Sequence, residues 1–314
     1  MAATPPDAAV RLPAAGCAGR TNRPGDNALV AMSAVQPGQE PGESGWSRTL
    51  ATSFDTQAAE YASRRPDYPP AAIAAALPAG AAAVLDLAAG TGKLTGPILR
   101  LGLDVIAVEP LAGMLAELSC RFPNAKGVLG VAENIPLRDA IVDVVVVGQV
   151  FHWFDSDRAL DEIARVLRPA GTLALISNHD EELDPFVRDF QAALHRIGRP
   201  VGGTTGRGTP TQGATADPGD AESAGSGIRG SVIPPFAAHP RFTAPELAEF
   251  TWTRRQSVPD LIALLHTYSY VIRATPEARA WLDLEIRAIA ERHFPDGHAV
   301  TVPVVCQVWW SVCR

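Results

Sequence analysis

The sequence predicts an α/β protein, doubly wound around a mostly parallel sheet of seven strands. Three observations carry that expectation. From about residue 46 to 197, short apolar runs alternate with stretches whose apolar residues recur at three- and four-residue spacing, the order that builds strand, helix, strand. The runs are nearly unbroken, as strands covered on both faces are. The tail then adds strand and helix patterns that extend the same sheet. With 314 residues, 46% of them hydrophobic, the chain is long enough to bury such a core.

Taken in order, residues 1–45 hold no aromatic residue and are rich in Ala, Pro and Gly. They cannot bury enough apolar area to offset the entropy of ordering, so a disordered arm is expected, with Met32 a second candidate start. The core region, 46–197, opens on SFDTQAAEYASRRPDYPPAAIAAAL, read as two short helices parted by the rigid turn Arg65–Pro70, a helical lid with aromatic handles. Five strands follow: AAVLDLA to Ala88, LDVIAVE to Glu109, AKGVLGVA to Ala132, VDVVVVGQ to Gln149 and GTLALISN to Asn178. Helices are expected at Lys93–Leu101, Leu111–Arg121 and Arg158–Leu167, the last stopped by Pro169 and Gly171. Residues 198–235, dense in Gly, Thr and Ser and without periodicity, read as a flexible insertion. Residues 236–314 complete the same domain with a strand at Glu249–Arg254, helices at Pro259–Tyr268 and Pro276–His293, and a closing strand at Val300–Val308.

Charge and cysteine usage narrow the function. With 34 acidic and 27 basic residues the chain carries a formal charge of −7, which repels a phosphate backbone, so no nucleic-acid partner is expected. The four cysteines, Cys17, Cys120, Cys306 and Cys313, form no C-x-x-C pair and have no histidines at ligand spacing; no metal is expected, and reduced thiols in a reducing compartment are the economical reading. The most apolar stretch, IVDVVVVGQVF, contains Asp143 and is about half the ~20 residues a spanning helix needs. No secretory leader is readable, and the expectation is a cytoplasmic protein without a membrane partner, monomeric or homodimeric.

The sharpest constellation is VLDLAAGTGKLT, where a strand ends at Asp86 to Ala88, Gly90 and Gly92 make the turn, and a helix starts near Lys93. Glycines let backbone approach a ligand, and the helix start offers N–H groups to an anion. Seventeen residues after Gly92, Glu109 ends the next strand, where a carboxylate can take both hydroxyls of an adenosine ribose. A phosphate loop of the G-x-x-x-x-G-K-[ST] type fails, because Leu87 replaces the first glycine and Leu94 follows Lys93. A dinucleotide fingerprint needs Gly or Ala at position 95, where Thr95 stands; an NAD(P)-dependent oxidoreductase is therefore an alternative rather than the first reading.

The motifs together resemble class I S-adenosylmethionine-dependent methyltransferases, in particular the small-molecule group with the methyltransferase type 11 pattern. VLDLAAGTGKLT is similar to the family's first motif, AVEPLAGML to its second, VAENIPL to its adenine-side loop, VVGQVFHWF to its fourth-strand end and VLRPAGTLAL to its fifth-strand entrance. The likeness covers roughly Ser53 to Asn178 well and the tail loosely, and it implies a Rossmann-like methyltransferase fold with S-adenosylmethionine as cofactor. By that resemblance Asp86 would hold water or the cofactor's amino group, Ala88, Gly90 and Gly92 would border its methionine part, and Glu109 would take the ribose hydroxyls. Met114, Ala132 and Glu133 would flank the adenine, and Gln149 would sit beside the reactive sulfur. Ala88 departs from the glycine common there.

Methyl transfer mainly needs an acceptor held in line and water excluded. For a hydroxyl or phenol acceptor, His152 in QVFHWFD is the candidate base, an imidazole ordinarily titrating near working pH. Tyr61, Arg65 and Tyr68 are candidate acceptor contacts from the lid, and His266, Tyr268 and Tyr270 from the tail, whose aromatic residues otherwise belong to core packing. No Asn/Asp-Pro-Pro-Tyr/Phe sequence, the arrangement of enzymes that methylate base amines, follows the fourth strand. The expected activity is therefore methyl transfer to an O, N or C atom of a small molecule. Besides the oxidoreductase, the remaining alternative is a non-catalytic S-adenosylmethionine-binding module.

Overall fold

The computed structural model describes residues 64–181, 183–198, 234–297 and 299–314. The N-terminal arm, the first lid helix with Tyr61 and nearly all of the expected insertion lie outside the described residues.

Among the described residues, seven strands form one sheet in the order β3-β2-β1-β4-β5-β7-β6. The expected doubly wound, mostly parallel architecture is what the chain adopts. Its parallel part consists of β1 (Ala83–Leu87), β2 (Asp104–Glu109), β3 (Lys126–Leu129), β4 (Val142–Gly148) and β5 (Leu167–Asp180). β6 (Glu246–Gln256) and β7 (Val300–Val312) close it as an antiparallel pair, β7 lying between β5 and β6. The helices are α1 (Pro70–Ala75), α2 (Thr95–Arg100), α3 (Ala112–Arg121), α4 (Ser156–Val166), α5 (Pro185–Gly198), α6 (Val258–Leu265), α7 (Ser269–Ile272) and α8 (Pro276–His293).

Alternation along the strands explains the layers. Val84, Val105, Val144, Val146 and Ile176 point to one face and pack with Ala72, Ile73 and Ile98 of α1 and α2. Leu85, Leu87, Val108, Val145 and Val147 point to the other and meet Leu160 and Ile163 of α4. A third cluster joins α5, α6 and α8 to Val300, Val302 and Val304 at the start of β7. Because β7 runs against β5, with Asp180 opposite Val304, this helical cap sits at the end of the sheet where the parallel strands finish.

Several boundaries differ from the sequence expectation, each for a local reason. Pro169 does not stop a helix. α4 ends at Val166 and β5 starts at once, running through Pro169 and through Ala170 at φ +60° while the register with β4 slips between Val142 and Val144. A bulge of this kind is where a strand tolerates proline. β3 is four residues long, not eight, because the chain turns away after Leu129. The tail helix expected at Pro259–Tyr268 is two, and both tail strands are longer than expected. α5 lies outside the expected elements altogether, although Phe186, Val187, Phe190, Ala193 and Leu194 form its buried stripe.

Cys306 and Cys313 are free and buried, and burial pushes the Cys306 thiol up to about 12. Cys120 lies exposed on α3. Among the described residues no helix is long and apolar enough to cross a membrane, and no group of three metal-ligating side chains occurs.

Candidate functional site

The site forms where β1 and β2 end. Between β1 and α2 the chain turns through Ala88 at φ +54°, Gly90 at +56° and Gly92 at +87°, three left-handed residues in five. Two of them are glycine, which takes this conformation without a Cβ clash; at Ala88 the methyl is tolerated at some strain. The Ala89 N–H donates to Val108 O at 3.1 Å and fixes the turn to β2. The two glycines are not equivalent. A Cβ on Gly92 would stand 2.6 Å from the Phe122 ring, so this glycine serves packing against the end of α3. A Cβ on Gly90 would meet nothing within 4 Å, which leaves its side of the turn open.

Glu109, 3% exposed at the end of β2, faces the same turn. Its Oε2 accepts from the Gly90 N–H at 2.8 Å and its Oε1 from the Leu111 N–H at 3.0 Å. A carboxylate has acceptor positions for about four hydrogen bonds, enough to hold the turn and take ligand hydroxyls together. Asp86, 1% exposed, accepts from the Thr95 hydroxyl at 2.6 Å and so locks β1 to the first residue of α2. Burial raises its carboxyl to about 6, against the lowering effect of the Thr95 hydrogen bonds. Inside the turn, the Thr91 hydroxyl is buried and has no protein partner.

Met114 is buried on α3 and Ala132 on the loop after β3, while the Glu133 carboxylate accepts from the Asp155 N–H at 2.9 Å. Gln149, exposed just past β4 at φ +67°, donates its amide to Asn178 O at 3.1 Å. His152 is exposed in the short turn Phe151–Trp153, its ring centroid 5.5 Å from that of Trp153, while Phe151 and Trp153 themselves are buried.

The lid residues form a strap, Arg64 to Pro69, across the strand ends. Arg64 pairs with Asp260 at 2.6 Å, and Arg65 donates to Thr267 O at 3.1 Å with its guanidinium 4.7 Å from the Tyr268 ring centre. Asp67 takes Lys93 on its carboxylate at 2.9 Å and the Asn178 amide on its carbonyl at 3.2 Å. The Tyr68 hydroxyl lies 2.8 Å from where a Cβ on Gly148 would be, so glycine at the end of β4 makes room for it. Arg65 and Tyr268 are thus brought together, with Tyr270 5.8 Å from Tyr268 ring to ring, while Tyr68 packs at the end of β4. His266 turns to α8 instead, its Nε2 2.7 Å from Asp283.

Sequence reasoning passed over Asn178, Asp67 and Lys93, and also Glu162 and Arg165, which hold the loop after β3. The i,i+3 spacing of Glu162 and Arg165 on a helix was the available signal; the loop they grip was not readable from it.

In an open α/β sheet of this order, ligands bind in the crevice outside the carboxyl ends of the strands, which is where this turn stands. Residues 85–175 fit the family described as a methyltransferase domain. An uncharacterized methyltransferase of Mycobacterium tuberculosis is 47% identical over 154 residues, 49% of this chain and 63% of the relative. The chain therefore spans less than two thirds of that relative's length. An uncharacterized methyltransferase of Schizosaccharomyces pombe is 32% identical over 245 residues, 76% of this chain and 88% of the relative. A solved structure assigned as a type II methyltransferase, from Anaeromyxobacter dehalogenans, shares the fold with a TM-score of 0.54 at 23% identity, covering 80% of this chain and 97% of that one. The chain belongs to the class I S-adenosylmethionine-dependent methyltransferases.

Proposed function

We propose that the protein transfers a methyl group from S-adenosylmethionine to an oxygen, nitrogen or carbon atom of a small-molecule acceptor by in-line displacement. The observation that carries this reading is the Glu109 carboxylate, buried and 2.8 Å from the N–H of Gly90, beside a turn where a Cβ on Gly90 would meet nothing within 4 Å among the described residues. The residues fit the cofactor. The Gly90 turn admits its methionine part and Glu109 its ribose hydroxyls, while Met114 and the main chain at Ala132 and Glu133 border the adenine. When bound, S-adenosylmethionine would supply a methyl group on a positively charged sulfur, to be taken by an acceptor lone pair as the carbon–sulfur bond breaks and the neutral thioether, S-adenosylhomocysteine, leaves.

The chain's own groups then position, desolvate and move a proton. Thr95 and Asp86 hold the turn in place. The strap and the helical cap lie at the strand ends, where closing over an acceptor would exclude water. His152, exposed just past β4, takes the proton from a hydroxyl or phenol acceptor. Gln149 is held by Asn178 next to it. A small acceptor is favoured over a polyanion by the formal charge of −7.

The oxidoreductase alternative loses ground on two features. Thr95 is engaged with Asp86, where a dinucleotide fingerprint needs a small apolar residue, and the sheet ends in an antiparallel pair rather than a sixth parallel strand. Calorimetry with S-adenosylmethionine and S-adenosylhomocysteine is expected to give binding heat. Incubation of labelled cofactor with a metabolite extract, followed by mass spectrometry, is expected to give a methylated small molecule. Saturating cofactor with neither heat nor thermal shift sinks the reading, and cofactor binding without any product leaves the non-catalytic module.

A further inference from the structure

We propose that Arg165, together with Glu162, is a positioning residue for adenine recognition: from α4 it fixes the main chain of the loop that follows β3, and with it the cofactor base the protein accepts. The proposal rests on the S-adenosylmethionine reading above for what that loop faces.

The loop between β3 and β4 forms no strand: a bridge joins Val131 to Asn134, and Leu137 stands in a further isolated bridge. A loop this irregular would have to order itself when a ligand binds, at a cost of roughly 1 kcal/mol or more for each residue fixed. Here it is already fixed from two sides. Ile135 and Leu137 bury their side chains completely in the core. Their main chain is gripped from α4: the Ile135 N–H donates to Glu162 Oε2 at 2.8 Å, and Arg165 donates to Ile135 O at 2.8 Å and to Leu137 O at 2.7 Å.

Arg165 completes the grip by a paired contact with Glu162, Nε to Oε1 and Nη2 to Oε2, both at 2.7 Å, and by a bond from Nη1 to Asp139 at 2.8 Å. All five of its N–H donors are used. That inventory is specific to a guanidinium. A lysine has three donors on one nitrogen and cannot hold a carboxylate in the paired mode while spanning two carbonyls two residues apart. The contact with Glu162 and Asp139 drives the Arg165 guanidinium upward, so its charge is permanent. Just ahead of the gripped stretch, Glu133 ties to the Asp155 N–H. Ala132 and Glu133 thus lie between the Gly130 N–H, which donates to Glu109 O at 3.2 Å, and the gripped main chain at Ile135, which sets where their amides and carbonyls point.

The test is calorimetry on the full chain with two ligands, S-adenosylhomocysteine and S-inosylhomocysteine, which differ at the base's 6-position. The wild type is expected to prefer the adenine ligand. Arg165→Lys is expected to bind it about tenfold more weakly, a loss typical of one or two hydrogen bonds to a charged group, and to lose most of the preference. Asp139→Asn, which removes only the exposed arm of the network, is expected to leave both affinities unchanged. If Arg165→Lys does not fold, Glu162→Gln should show the same narrowing of preference, since it breaks the paired contact. Equal weakening for both ligands, unchanged affinities, or a wild type without preference overturns the proposal. A wild type that binds neither ligand refutes the cofactor reading itself, a distinguishable result.

Discussion

At the scale of single residues, two buried carboxylates one strand apart have different partners. Glu109 accepts two main-chain N–H groups at the turn and, in the proposed complex, the ribose hydroxyls. Glu109→Gln keeps the shape and removes the charge, and should weaken S-adenosylhomocysteine binding by about 1.5 to 3 kcal/mol in calorimetry. Glu109→Ala should in addition lower the melting temperature, because the Gly90 and Leu111 N–H groups lose their acceptor. Equal affinity in wild type and Gln variant would remove Glu109 from the site. Asp86 behaves differently: burial lifts it to about 6 from an ordinary 3.8. The folded chain keeps that proton at a pH where the unfolded chain has released it, so stability falls as pH rises from about 4 to about 6 and then levels. The decline is up to about 3 kcal/mol. Asp86→Asn should abolish that component, visible as a smaller difference between denaturation midpoints at pH 4.5 and pH 7; parallel profiles for the two proteins would contradict the assignment.

At the scale of elements, the strap Arg64 to Pro69 shows how the site is assembled from distant parts of the chain. Arg65 bonds a carbonyl 202 residues away and stacks on Tyr268. Arg65→Ala should cost about 1 to 2 kcal/mol and speed hydrogen exchange in 258–272 more than in β1 and β4. Uniform change across the sheet would mean that the strap does not hold the cap. The rigid turn itself was legible in RPDYPP; its partners were not, because no local pattern encodes a contact across that separation. β1, β2, β4 and the middle of β5 were legible because burial on both faces writes a continuous apolar run. α5 had an equally clear stripe in Phe186, Val187, Phe190, Ala193 and Leu194, yet the strand and helix alternation does not require an element there. Pro169 was misread because proline at a bulge and proline after a helix leave the same mark in the sequence. The turn with Glu109 was readable from motif spacing alone, whereas the grip of Arg165 on its loop needed coordinates.

At the scale of the whole molecule, the sheet has a working end and an anchoring end. The turn, Glu109, Gln149, the strap and the cap lie where the parallel strands finish. At the opposite end Asp143, at the start of β4, accepts the N–H groups of Ala82 and Ala83, each at 2.9 Å, and pairs with Arg168 of β5. One side chain thus joins three neighbouring strands. Burial acts to raise its carboxyl, but the two N–H groups and the guanidinium outweigh that and hold it below the usual carboxylate range. A lowered value in the folded state means that this stabilisation is present above the ordinary carboxylate pKa and is lost as pH falls through the folded one. Asp143→Asn should therefore reduce stability at neutral pH by about 1 to 3 kcal/mol, the penalty for weakened and partly unsatisfied hydrogen bonds. The acid side of its stability profile should be flatter than the wild type's. Its affinity for S-adenosylhomocysteine should be unchanged, because nothing at the anchoring end touches the turn. A variant that is as stable as wild type would show that the three-strand contact is incidental, and one that loses affinity while its melting temperature stays put would show that the two ends are coupled through β1 and β4.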